Sequence, residues 1–152
     1  MTRLAPMALA AAFVAFLPSF QEPPAKQEKH DATEHADTPL AQQMVKIDDA
    51  MHFLRRSLKE PAQDEQSLAQ VVLAEQACLA AKSLAPRMTV HVAEAERAAF
   101  QKEYRKGVAA MLVEWVRLET ALLDGDRDAA QASWKKLDRM EEEGHDRFTE
   151  GE

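Results

Sequence analysis

The chain has 152 residues with 4 glycines, 1 cysteine and a formal net charge of −7. That length suits one domain with a real core, and the acidic balance argues against nucleic acid and anionic lipid as partners while suiting a carrier that meets a basic protein. A lone cysteine excludes a disulfide framework and any Cys-x-x-Cys metal knuckle. Plentiful Ala, Leu, Glu, Gln and Met, with few β-branched residues, favour helix throughout.

Residues 1–20, MTRLAPMALAAAFVAFLPSF, place Arg3 before an apolar run from Leu4 to Leu17. The run is short for a bilayer span and has the build of a secretory signal, although no clean Ala-x-Ala precedes Gln21. A buried N-terminal helix is the alternative; export to the periplasm, with no membrane insertion after signal removal, is the expectation. Residues 21–38 follow as a polar linker, QEPPAKQEKHDATEHADT, with too little apolar surface to order itself. His30 and His35 lie in it, as solvated linker residues or as a loose metal scavenger.

The domain proper, residues 39–152, reads as four helices. Thr38-Pro39 is an N-cap followed by a first-turn proline, opening helix one over 39–59. Its apolar positions, Leu40, Met44, Ile47, Met51, Leu54 and Leu58, alternate four and three apart, the seam of a bundle helix. Pro61 ends it. Helix two, 64–86, carries Leu68, Val71, Val72, Ala74, Cys78, Ala81 and Ala85, and its last turns are mostly small residues. Cys78, among Ala77, Leu79 and Ala80, is expected as a small buried thiol. Helix three, 90–124, runs through Phe100, Tyr104, Val108, Met111, Trp115, Leu118 and Leu122 to the stop at Gly125. Asp126 caps helix four, 126–149, with Ala130, Trp134, Leu137, Met140, Gly144, His145 and Phe148. Short connections make consecutive helices antiparallel neighbours, so the predicted fold is an all-α, up-down-up-down four-helix bundle.

Counting about 1.5 Å per residue away from each turn places His145 level with Arg105, beside Tyr104, and Met44 level with Leu79 to Ala81. Met44, Tyr104, His145 and the small-residue end of helix two therefore gather at one end of the bundle. A thioether facing an imidazole across a bundle is the axial ligand set of an electron-carrying haem. The plainer reading of the same residues is a core methionine and a histidine placed for the helix dipole.

Several stretches carry a resemblance: MVKIDDAM at 44–51, YRKGVAAMLVEWV at 104–116, LLDGDRDAAQASWKKLD at 122–138 and GHDRF at 144–148. In their order and spacing from Leu40 to Phe148, the chain resembles the soluble cytochrome b562 family of exported four-helix-bundle haem proteins. The resemblance implies one non-covalent haem b per chain, with Met44 and His145 at the ligand positions, Tyr104 where the family packs an aromatic on the macrocycle, and Gly107 at a family glycine. It implies electron transfer to a redox partner with a basic surface, and no enzymatic activity, since a six-coordinate iron leaves no open site.

The chain departs from the family just before the histidine. Glu141-Glu142-Glu143-Gly144 stands where neutral or basic residues, or a Cys-x-x-Cys, are usual. Haem would be held by coordination and packing alone, and three carboxylates raise the cost of seating its propionates. Glu141, one turn before His145, is suited to accept the free imidazole N–H.

Two other functions compete. A haem-free bundle of the same fold would be a structural or protein-interaction module. A dimetal carboxylate site is suggested by Glu142-x-x-His145 and Asp49-x-x-His52, but His52 lies about 12 Å further along helix one than the level of His145, too far for shared metals. His91 fits none of these arrangements and is expected to be exposed.

Overall fold

A computed structural model describes residues 38–149; the segment read as signal and the linker up to residue 37, with His30 and His35, lie outside the described residues. The described residues form four α-helices and short 3₁₀ turns, with no strand among them. The helices are α1 (Pro39–Ser57), α2 (Asp64–Ala81), α3 (Arg97–Leu123) and α4 (Arg127–Phe148). None is long and apolar enough to cross a membrane.

Local chemistry accounts for the helix ends. The Thr38 hydroxyl accepts from the Ala41 amide at 3.1 Å while Pro39 occupies the first turn, filling one orphan donor where a proline costs nothing. At the other end of α3, Gly125 adopts φ +70°. Its amide donates to Leu122 O at 3.1 Å and that of Asp126 to Ala121 O at 2.8 Å, the paired closure that a left-handed residue permits. The Asp126 side chain then caps α4 by accepting from Ala129 N at 3.0 Å.

Two boundaries differ from the sequence expectation. Helix α2 stops at Ala81 rather than running to 86. Ser83 turns its hydroxyl back onto Ala80 O at 2.9 Å, and Pro86 disfavours helical backbone in the residue before it. Helix α3 starts at Arg97, not near 90, after 3₁₀ turns at Arg87–Val90 and Glu94–Glu96. Thr89, Val90 and Val92 are β-branched and poor helix starters. The Arg97 side chain donates to Val92 O at 3.0 Å, satisfying a carbonyl of that irregular stretch.

Helix α1 packs on α2, α2 on α3 and α3 on α4, whereas α1 and α4 approach each other far less closely. The seam positions of α1 behave as read: Ile47, Met51, Leu54 and Leu58 are buried, and Leu40 and Met44 pack half-buried at the core's edge. Trp115, Leu118, Leu54, Leu137, Val71 and Cys78 form the innermost layer. Burial pushes the Cys78 thiol up to about 12, with Glu75 adding to it, so the thiol is an inert filler.

At one end of the bundle, Arg127 donates to Leu58 O at 3.0 Å and with one nitrogen to both Asp64 oxygens, tying α4 to the α1–α2 corner. Halfway up, Trp134 donates its indole N–H to Met51 O at 3.1 Å. Glu114, with a side chain 5 % exposed, meets Lys136 at 2.6 Å and Arg117 at 2.9 Å. Burial alone would raise its carboxyl, but hydrogen bonds from Lys136, Ser133 and Arg117 outweigh it and hold the pKa below the ordinary value.

Small residues let α1 and α2 approach closely, and there Ser67 donates to Ser57 at 2.8 Å in a fully buried pair. Leaving one hydroxyl alone in apolar surroundings costs more than removing both. Ser67→Ala is expected to destabilise by about 1–2 kcal/mol, and Ser57→Ala with Ser67→Ala by less than the single change. Urea midpoints of the two variants measure the difference.

Candidate functional site

Of the residues expected together at one end of the bundle, Met44 and His145 belong to the two helices of the α1–α4 seam, whereas Tyr104 meets Ala81 of α2 and Phe148 of α4. Helix periodicity turns Met44 of α1 inward, half-buried against the core. His145, in the last turn of α4, is exposed, and its backbone carbonyl accepts from Thr149 N at 3.1 Å and the Thr149 hydroxyl at 2.5 Å. Counted at about 1.5 Å per residue from the Leu58–Arg127 contact, Met44 is level with Glu141, and His145 lies about one turn beyond.

Tyr104 does meet the small-residue end of α2. It is 4 % exposed, and its hydroxyl donates to Ala81 O at 3.0 Å. Burial, then the Cys78 thiol, pushes its phenol up to about 12, so it stays a neutral donor. Phe148 packs edge-on against Tyr104 at 5.5 Å and against Phe100 at 5.3 Å, the geometry aromatic quadrupoles favour. Its ring lies over Gly107, where an added Cβ would stand 3.8 Å away, an ordinary contact. That aromatic trio was not grouped from the sequence, although Phe100 and Tyr104 lie one turn apart on α3.

Glu141 occupies the seam itself, half-buried. Burial raises its carboxyl, Asp48 and Asp138 raise it further, and His145 and His52 pull it down. His52 Nε2 lies 3.3 Å from Asp48 Oδ1 on the exposed edge of α1. The seam thus carries two acid-then-His pairs, Asp48 with His52 and Glu141 with His145, each one turn apart on facing helices. The four-residue spacing of both pairs is legible in the sequence, whereas the three-residue pairs considered there pick out Asp49 and Glu142, which are exposed. Among the described residues no three His, Cys, Asp or Glu side chains are disposed to hold a metal ion by themselves.

A carboxyl whose folded pKa is raised stabilises the fold only while protonated; that contribution is present below its unfolded pKa and is lost as pH rises through the folded value. Glu141→Gln removes the loss. The variant is expected to match the parent in acid and to exceed it in stability once pH passes above the raised carboxyl pKa. Urea unfolding across that pH range checks this, and a variant less stable at neutral pH would contradict it.

The donor chemistry at the seam is a thioether from α1 and an imidazole from α4, on a helix pair that packs less closely than α1–α2, α2–α3 and α3–α4, with a buried aromatic at the same end. Thioether and imidazole are the donor types of a Met/His-ligated haem; here Met44 packs against the core and His145 is exposed. In comparisons with protein families, with characterised proteins and with solved structures, nothing matches this chain.

Proposed function

We propose that this chain is an exported electron-transfer protein, an antiparallel up-down-up-down bundle that holds one haem b at the α1–α4 seam. Met44 and His145 would hold it, Tyr104 would pack beside it, and a partner with a basic surface would meet the acidic exterior. The observation that supports this reading is the seam: a helix pair that packs less closely than the three sequential pairs carries one thioether and one imidazole. The antiparallel order is supported by contacts at the two ends, Leu58 and Asp64 with Arg127 at one, Ala81 with Tyr104 and Phe148 at the other. Bound haem supplies reversible one-electron transfer, and thioether ligation favours the reduced state. Within the chain, Tyr104 stays a neutral donor fixed on Ala81, and Glu141 stands within electrostatic reach of His145 to orient its free N–H.

A second reading, a haem-free interaction module, draws on a different observation. The Tyr104 hydroxyl is already satisfied by Ala81 and His145 is exposed, so the bundle closes without a cofactor.

Met44→Leu separates the two. It conserves volume, so the apo bundle should lose under about 1.5 kcal/mol. In the loaded protein it should leave haem bound by His145 while the ferrous spectrum changes from six- to five-coordinate. A parent and a Met44→Leu variant with identical ferrous spectra would remove Met44 from the ligand set.

A further inference from the structure

The outer face of the α2–α3 pair carries the same stripe twice. Leu68, Val72, Glu75 and Leu79 on α2 follow steps of four, three and four residues, and Leu112, Val116, Glu119 and Leu123 on α3 repeat the same residue types at the same steps. Such steps keep each set on one helix flank. Exposure repeats as well: the first Leu and the Glu of each stripe are half-buried, while the Val and last Leu stand out, Val72 at 38 % and Val116 at 45 %, Leu79 at 54 % and Leu123 at 66 %.

The two stripes border one groove. Helices α2 and α3 pack together, and Glu75 and Glu119 lie within electrostatic reach of each other. The Tyr104–Ala81 hydrogen bond fixes their register. With the antiparallel pairing proposed above, counting from that bond puts Val72 opposite Val113, Glu75 opposite Ala110, and Glu119 opposite Gln66. A local two-fold axis therefore passes between the levels of the two valines, and the glutamates lie on either side of it, about 13 Å apart along the groove, a span that long Lys or Arg side chains two turns apart can bridge.

A carboxylate in apolar surroundings needs a partner. Glu75 Oε1 is buried and accepts no hydrogen bond, and burial, then Glu119, drives its carboxyl above the ordinary range. A second copy of this face would crowd four carboxylates into one apolar seam, whereas a cation placed beside each would satisfy them. We infer that the α2–α3 groove docks a single amphipathic helix of a partner protein, whose apolar stripe carries two Lys or Arg side chains about two turns apart, one for Glu75 and one for Glu119. The local two-fold lets such a helix lie in either direction. The inference uses the helix pairing but not the haem, and the groove lies away from the α1–α4 seam.

The test uses the purified chain and a labelled helical peptide with a leucine stripe interrupted by two lysines two turns apart, read by fluorescence anisotropy. Saturable binding is expected, weakening as salt is raised. Glu75→Gln with Glu119→Gln should weaken it at least about tenfold, as loss of two charge-assisted contacts implies. Val72→Asp and Val116→Asp, both at exposed positions, should abolish it with the helical circular dichroism unchanged. Absence of saturable binding, equal binding of a peptide with glutamates in place of the lysines, or an unchanged affinity in the double Gln variant would overturn the inference. So would a dimer in sedimentation that Val72→Asp dissociates, which would make a second copy the occupant.

Discussion

Trp115→Ala is expected to cost the bundle about 3–5 kcal/mol, the range for removing a large aromatic from a filled core. Trp115 is wholly buried on α3, as are Leu54 on α1, Val71 on α2 and Leu137 on α4. With the core filled from all four helices, the surrounding backbone has little freedom to collapse into the space left behind. A domain of this size has about 5–15 kcal/mol of net stability, so the loss is a large part of the whole. Trp115→Phe provides the internal control. The indole N–H is buried without an acceptor, and deleting an orphaned donor recovers about 1–3 kcal/mol of desolvation cost that offsets the smaller ring. Phenylalanine should therefore be much milder than alanine, and denaturant midpoints at unchanged slope measure both. An alanine variant within about 1 kcal/mol of the parent would mean the core is not built around this residue.

His145→Ala should have the opposite profile, large for the ligand and small for the fold. The side chain is exposed on the last turn of α4, so its loss from the apo bundle should cost no more than about 0.5–1 kcal/mol, the scale of a surface change or a helix-dipole contact. Haem affinity should fall more than about a hundredfold, beyond the 10–100-fold typical of losing only a supporting partner of a ligand. The groups nearest His145 on its own helix are Glu141, Glu142 and Asp146, and none replaces an imidazole as a strong ligand to ferrous iron. Affinity measured by absorption titration, with apo stability measured in parallel, separates a ligand from a surface histidine. Unchanged haem affinity would remove His145 from the site.

Helix number and core faces were legible because the three-and-four spacing of Leu40 to Leu58, and the heavy positions from Tyr104 to Leu122, admit one burial pattern. The caps were legible too, since Thr38-Pro39 and Gly125-Asp126 have strong local preferences. The late start of α3 was not, because Arg97 closes that stretch through side-chain contacts with backbone that no periodicity encodes. The buried Glu114 was missed for a related reason. It lies on the core-facing arc beside Trp115, and Lys136 and Ser133 arriving from another helix, with Arg117 of its own, make burying it tolerable. At the candidate site, the clustering of Tyr104 with Ala81 follows from counting residues away from turns. The place of Glu141 between Asp48 and the two histidines does not, because it depends on how far α1 and α4 stand apart.

The central claim is that this bundle binds haem through one thioether and one imidazole. Titration of haem b into the purified chain, followed by absorption in the oxidised and reduced states, tests it most directly. Saturation at one haem per chain is expected, with a sharp Soret band and the narrow ferrous bands of six-coordinate, low-spin iron. A titration that never saturates, with only the broad spectrum of free haem, would contradict it.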